Sequence, residues 1–235
     1  MRRLRKVLTG VLVLLVVGAV GASAFAAVEV RSSFPQTSGE LTVTGLNSPI
    51  RIERDARGIP QIYATTDHDL MFGQGYAHAQ DRFWEMDFRR HVTAGRLSEL
   101  FGEDTLETDR FIRTMGWRRV AERELALLQP ATRDALTAYA EGVNAYLAER
   151  SPSELSAEYS VLGLTGLDYT PEEWTPVDSL AWLKAMAWDL RGNMSDEIQR
   201  ALTVQAVGGR RAATDRKSTR LNSSHTDISR MPSSA

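Results

Sequence analysis

Apolar and polar positions are unevenly distributed along the chain. The basic opening MRRLRK is followed by VLTGVLVLLVVGAVGA, an almost unbroken apolar run, and then by ASAFAA, with small residues at −1/−3 spacing. This is the charged, apolar and cleavage-site order of a secretory signal. A cut is expected after Ala24 or Ala26. The alternative is an uncleaved anchor helix, because the run is near the lower limit for spanning a bilayer. Residues 1–26 are therefore read as signal peptide or anchor, and 27–40, with Pro35 and Gly39, as a polar linker. The pattern then changes period. LTVTGL (41–46), PIRIERD (49–55) and IPQIYA (59–64) alternate apolar and polar, which predicts a small antiparallel meander of three short strands with turns at Asn47-Ser48-Pro49 and at 56–58.

From Thr66 or Asp67, both good helix caps, the period becomes helical. Phe72, Tyr76, Ala79, Phe83 and Met86 step by four and three, marking one buried face. A short helix is predicted over 93–102, stopped by Gly102, and a further helix over 104–128. Pro130 opens the next, with Ala135, Tyr139, Val143 and Tyr146 as its inner stripe. YTPEEWTPVD reads as a loop pinned by two prolines. A helix starting at Pro176 or Asp178 and a last one over SDEIQRALTVQAV complete the pattern. The fold class is α+β, mostly helix with a small N-terminal antiparallel strand set.

The other end breaks the pattern again. From Arg216, RKSTRLNSSHTDISRMPSSA holds eight Ser or Thr in twenty residues and has neither period. It resembles a tail that recurs on unrelated conceptual translations. Residues 211–235 are expected to be disordered and foreign to the protein, and His225 is given no role.

Composition narrows the chemistry. The chain has 235 residues, 43% of them hydrophobic, no cysteine and a net charge of −2. Disulfides, thiolate nucleophiles and zinc–thiolate sites are excluded. No basic face is in view, so nucleic acid is not an expected partner. Cleavage would remove Arg2, Arg3, Arg5 and Lys6 and leave the exported part near −6.

The densest candidate for chemistry is GYAHAQDRFWEMDFRR, residues 75–90. Asp81, Asp87 or His78 would suit acid–base work. Asp81 and Glu85 are four apart and repel unless a cation such as Arg82 or Arg89 intervenes, while Glu85 and Arg89 have the favourable order for a surface pair. Gln80 and Asp87 share the face of Tyr76 and need partners beside the core. No nucleophile, metal triad or phosphate loop accompanies these residues, so they are read as a structural network. His68, His78, His91 and His225 form no HxH or HExxH pattern, and there is no G-x-S-x-G, Walker or G-x-G-x-x-G motif. The residues alone give no self-contained active site.

Six segments in register nevertheless carry a resemblance: RDARGIPQIYA (54–64), GQGYAHAQDRFWEMDFRR (73–90), GRLSELFG (95–102), YAEGVNAYL (139–147), GLDYTPEEWTPVDSLAWLKAMAWDL (166–190) and SDEIQRAL (195–202). Together they resemble the α-segment of the penicillin acylase family of N-terminal-nucleophile hydrolases. The resemblance implies that residues 41–210 are the helix-rich part of an αββα fold, incomplete in this chain. It implies an exported precursor with a signal peptide, an α-segment, a spacer and a β-segment, which cuts itself to free a serine at the start of the β-segment. That serine attacks an amide carbonyl with its own α-amine as base, and an acyl-enzyme follows.

The nucleophile and oxyanion donors would lie in the β-segment, the expected partner, so this chain is expected to be an inactive N-terminal fragment. Substrates would be N-acyl compounds such as β-lactam antibiotics or acyl-homoserine lactones. Within the chain, Met186, Leu190 and Arg191 resemble acyl-pocket positions, and Glu197 resembles one ligand of a structural Ca2+. Gln80, Asp81 and Arg82 are the structural signature that ties adjoining elements. A secreted helical binding or scaffold protein without catalysis is the alternative. The protein is expected in the periplasm, outside the cell, or held to the membrane only through residues 1–24.

Overall fold

The computed structural model describes residues 2–148, 150–190 and 192–208. They fall in two compact units, Met1–Ala185 and Met186–Ala235. Helix α1, Arg2–Ser32, opens the first. It runs unbroken past both expected cleavage sites and into the expected linker. Every side chain described in it is exposed.

Only two of the three expected strands form. Strand β1 (Arg51–Arg54) pairs antiparallel with β2 (Pro60–Tyr63), placing Ile52 opposite Ile62. The turn between them is closed by Asp55, whose Oδ1 accepts from the backbone N–H of Arg57 at 2.8 Å and of Ile59 at 2.9 Å. Residues 41–46 are not a strand, and the physical reason lies beside them. Gly45 adopts φ +106° with the Phe72 ring against it, so close that a Cβ would stand 2.8 Å from the ring. The backbone N–H groups of Asn47 and Ser48, just beyond this segment, donate to the Asp69 carboxylate at 2.9 and 3.2 Å. A side chain, not a neighbouring strand, takes these donors.

Helix α2 (Asp67–Ala94) starts where expected. Thr66 Oγ1 caps it by accepting from the Asp69 N–H at 3.1 Å. It leaves helical geometry once, at Arg82 (φ −146°, ψ 25°), and ends at Gly95 in the left-handed conformation. The helix expected over 93–102 is thereby divided. Its first residues finish α2, and the rest forms the single turn α3 (Ser98–Phe101), with a 3-10 turn at Gly102–Thr105 following. Gly116, also left-handed at φ 73°, splits the next expected helix into α4 (Leu106–Met115) and α5 (Trp117–Leu125). Then come α6 (Pro130–Leu147), the short α7 (Pro152–Leu155), α8 (Ala157–Leu164) and α9 (Pro176–Leu190). The sequence reading did not anticipate α7 or α8. Ser151 and Glu154 form a reciprocal capping box that starts α7.

The core lies between α2 and α6, closed by α8 and Trp174. Phe72, Ala79, Phe83, Val143 and Tyr146 are all at most 2% exposed. Burying each aliphatic or aromatic side chain is worth roughly 1.5–3 kcal/mol. Tyr76 meets Tyr146 edge to face, centroids 5.4 Å apart. Two glycines set the helix separation. A Cβ on Gly75 would stand 2.0 Å from the Tyr139 carbonyl oxygen, and one on Gly142 would stand 1.9 Å from that of Phe72. The helices therefore touch backbone to backbone. A smaller apolar cluster joins Ala121 of α5 to Leu180 and Ala181 of α9.

The second unit takes in the last residues of α9, from Met186, and helix α10, Met194–Val207, which has no buried residue.

Candidate functional site

The polar residues of α2 from His78 to His91 enter three arrangements. The first is a buried hub on Asp87, which is 0% exposed. Its Oδ1 accepts from Arg90 Nε at 3.1 Å and from Arg90 Nη2, and its Oδ2 accepts from the hydroxyls of Tyr159 and Tyr169, each at 2.8 Å. Arg90 Nη1 goes on to the backbone carbonyls of Glu172 and Glu173 at 2.9 and 3.0 Å. The ring of His91 bonds through Nδ1 to the Asp87 carbonyl at 2.8 Å. Burial, reinforced by the facing Asp87 carboxylate, pushes both tyrosine hydroxyls well above their ordinary value, so they stay protonated donors. A carboxylate with both oxygens committed has no lone pair aimed at a substrate.

The second arrangement is a fork at the turn side of the hairpin. Arg54 Nη2 and Nη1 donate to Asp81 Oδ1 and Oδ2 at 2.7 and 2.9 Å, a bidentate pair. Nη2 also donates to Gln80 Oε1 at 2.8 Å, and the Gln80 amide donates to the Gln36 carbonyl at 2.8 Å. Gln80 and Asp81 thus join α2 to β1 and to the chain before it. The cation beside Asp81 is Arg54, from another element, and not Arg82 or Arg89. Arg82 pairs with Glu85 at 3.5 Å on its own helix, and the Arg89 guanidinium lies 4.3 Å above the Trp182 ring.

The third is an open, mainly apolar groove of about 550 Å³ between α2, α6 and the start of α9. Met71, Met86, Leu136, Tyr139, Trp174 and Trp182 line much of it. Its polar pair is His78 and Tyr139, with Nδ1 of the imidazole 3.0 Å from the hydroxyl. Burial lowers the His78 value and raises that of Tyr139 to about 12, so both are neutral near pH 7. The pair can donate and accept one hydrogen bond within the groove. Thr132 and Ser179 also line the groove, but among the described residues no Ser, Thr or carboxylate is hydrogen-bonded to the imidazole, whose partner is Tyr139, so the nucleophile–base–acid relay of acyl transfer is not assembled here.

The family-implied positions lie elsewhere. Met186 is 40% exposed and Leu190 80%, both toward the end of α9. Arg191, like His225, lies outside the described residues. Glu197 stands in the first turn of α10, exposed, with Oε1 accepting from Arg200 Nη1 at 2.6 Å. Among the described residues no group of three or more His, Asp or Glu side chains is placed to hold a metal ion. A calcium ion takes six or more oxygens, so these residues do not fit it by themselves.

Sequence reasoning missed the two tyrosines on Asp87, the Arg54 fork, and the Asn144–Trp174 bracket. In that bracket the Asn144 side chain donates to and accepts from the Trp174 backbone at 3.0 and 2.7 Å. Partners 26 to 82 residues away leave no local periodic signal. The glycines of GQGYAH and AEGVNAY were a usable one, because a glycine inside a helical pattern often marks close backbone approach.

Comparison with known proteins places the scaffold in a family. The sequence model of the family described as Penicillin amidase matches residues 49–226. Penicillin acylase 2 proenzyme of Pseudomonas sp. (strain SE83) is 35% identical over 182 residues, which are 77% of this chain and 22% of that protein. The acyl-homoserine lactone acylase QuiP of Pseudomonas aeruginosa is 37% identical over 181 residues, 77% of this chain and 21% of that protein. The chain therefore spans about a fifth of the length of these relatives. Among solved structures, a thermostable penicillin G acylase from Alcaligenes faecalis superposes with a TM-score of 0.60 at 27% identity. That match covers 80% of this chain and 98% of the other. With the family model matching most of its length and relatives 35% and 37% identical over 77% of it, the chain belongs to the penicillin amidase family.

Proposed function

We propose that this chain is the α-segment of an exported amide hydrolase precursor, which cleaves the amide of an N-acyl compound through an acyl-enzyme. One observation carries the reading: the chain accounts for 98% of the matched chain of a solved penicillin G acylase but only 22% of a proenzyme relative. That is the relation of one processed segment to a whole precursor. The relatives' names point to two substrate classes, penicillins and acyl-homoserine lactones. Both present an acyl group on an amide nitrogen.

On this reading the nucleophilic serine, its α-amine and the oxyanion donors belong to the β-segment, and this chain contributes scaffold and part of the acyl-binding wall. Met186 and Leu190, four apart on α9, present an adaptable apolar surface to the acyl chain, and Arg191, the next residue in sequence, would suit a charged acyl tail. Glu197 supplies at most one oxygen to a calcium ion, whose remaining ligands come from the β-segment. Helix α1 directs export or holds the protein at the membrane.

The test is hydrolysis of penicillin G and of a long-chain N-acyl-homoserine lactone by three samples. The chain alone is expected to turn over neither. A precursor extended by a β-segment is expected to split into two polypeptides and to hydrolyse at least one. The same precursor with its junction serine replaced by alanine should do neither. Turnover by the chain alone would overturn the proposal, as would an extended precursor that folds, splits and leaves both amides intact.

A further inference from the structure

His68, at the N-terminus of α2, stands outside the hub, the fork and the groove. Its ring is partly exposed and sits between groups from three elements. Nε2 is 3.1 Å from Glu141 Oε2 on α6. Nδ1 is 3.1 Å from Asp69 Oδ1 on its own helix, and also 3.1 Å from the Asn47 side-chain amide in the loop before β1. Phe72 lies beside the ring at 6.5 Å between centroids. Asp69 is fully buried and holds that same loop through the Asn47 and Ser48 N–H groups.

One nitrogen cannot serve both of its neighbours in the same protonation state. An amide N–H needs a lone pair on Nδ1, whereas a carboxylate needs a proton there. A neutral imidazole carries one N–H, so it satisfies one carboxylate and leaves the other nitrogen as an acceptor. An imidazolium satisfies Asp69 and Glu141 together and turns a donor toward the Asn47 amide. We propose that His68 is a proton-operated clasp joining the 45–48 loop, α2 and α6. Protonated, it bridges Asp69 and Glu141; neutral, its Nδ1 accepts from Asn47 and the bridge to Asp69 opens. The charged and titratable groups facing it are Asp69 from α2 and Glu141 from α6; the loop contributes only the neutral amide.

The electrostatics agree with this geometry. The hydrogen bond to Asp69, followed by that to Glu141, raises the His68 value above the ordinary 6.5 against the opposing effect of burial. The Asn47 N–H, with His68 next, holds Asp69 below its ordinary value. A group raised in the folded state adds stability that is fully present below its unfolded value and lost as pH rises through its folded value. The clasp is therefore closed on the acid side of neutrality while Asp69 remains ionised, and it opens as pH rises.

The experiment is an NMR titration of the full chain in detergent micelles, with the His68 ring signal assigned by His68→Gln. Two surface substitutions push in opposite directions. Glu141→Gln removes an acceptor that favours the charged ring, and the midpoint should fall. Asn47→Ala removes the donor that favours the neutral ring, and the midpoint should rise. The Asn47 side-chain amide signals should move with the wild-type His68 midpoint. A wild-type midpoint at or below 6.5, or an Asn47→Ala variant whose midpoint falls or stays, would overturn the clasp.

Discussion

Asp87 shows why a cluster of acids and bases can be structural. A buried carboxylate survives only with its oxygens satisfied, and here one arginine and two tyrosines satisfy them. Asp87→Asn turns an amide N–H toward either Arg90 or the tyrosine hydroxyls and strands a buried guanidinium. Breaking such a pair costs about 3–5 kcal/mol. Tyr159→Phe leaves Tyr169 on the same oxygen and should cost only about 1 kcal/mol. Urea denaturation of the two variants checks the order, and an Asp87→Asn protein as stable as wild type would refute the hub. Glu172 differs because it is exposed. Its fork with Arg96, at 2.8 and 2.9 Å, holds its carboxyl down at about 2. The stability it adds is present above the ordinary carboxylate value and is lost as pH falls toward 2. Solvent screens this pair, so the contribution is small. NMR should find a Glu172 midpoint near 2 that returns to the ordinary range in Arg96→Ala; a midpoint unmoved by that change would dismiss the fork.

Helix boundaries were legible in the sequence at Thr66 and Pro130, where a local signal fixed them, but not at Gly95, which falls inside the helix expected over 93–102. They were not legible at Gly116, where one left-handed residue broke a run of good helix formers. The capping box at Ser151 was a readable signal for α7 that the sequence reading passed over. The strand expected at 41–46 has the alternating pattern, but the buried Asp69 takes the donors of the adjoining loop, and only the folded structure brings that carboxylate there. The face of α2 was read correctly at Phe72, Tyr76, Ala79 and Phe83, yet what sets its distance to α6 is the absence of a side chain. Gly142→Ala would place a methyl 1.9 Å from a backbone oxygen, and Gly75→Ala would do so at 2.0 Å. Neither neighbour is a flexible side-chain tip, so the helices must separate and loosen the core along Tyr76 and Tyr146. Each substitution should cost at least about 1–3 kcal/mol, the usual range for overpacking, although alanine is otherwise the better helix former by ~1 kcal/mol. A gain in melting temperature from Gly142→Ala would contradict the backbone contact.

At the scale of the molecule, the apolar surface divides into a part that the first unit buries and a part that it leaves open. The groove between α2, α6 and α9 is open, and so is α1. Its 24-residue stretch Thr9–Ser32 has a mean hydropathy of 2.6 and, at about 1.5 Å per residue, is long enough to cross a hydrocarbon core of about 30 Å. The helix passes close to α7 and α8, but no described side chain of α1 is buried, so it supplies none of the described core. That independence gives a prediction about the whole protein. A chain beginning at Ala27 loses the apolar run and its basic flank but no described buried side chain. It should melt at the temperature of the full chain measured in detergent, and it should leave the membrane fraction for the aqueous one. Circular dichroism of both forms, with fractionation of cells expressing each, tests the two halves of the argument separately. A large fall in melting temperature would mean that α1 is part of the fold. An Ala27 form that still sediments with membranes at an unchanged melting temperature would mean that another surface, with the open groove first among them, holds the protein there.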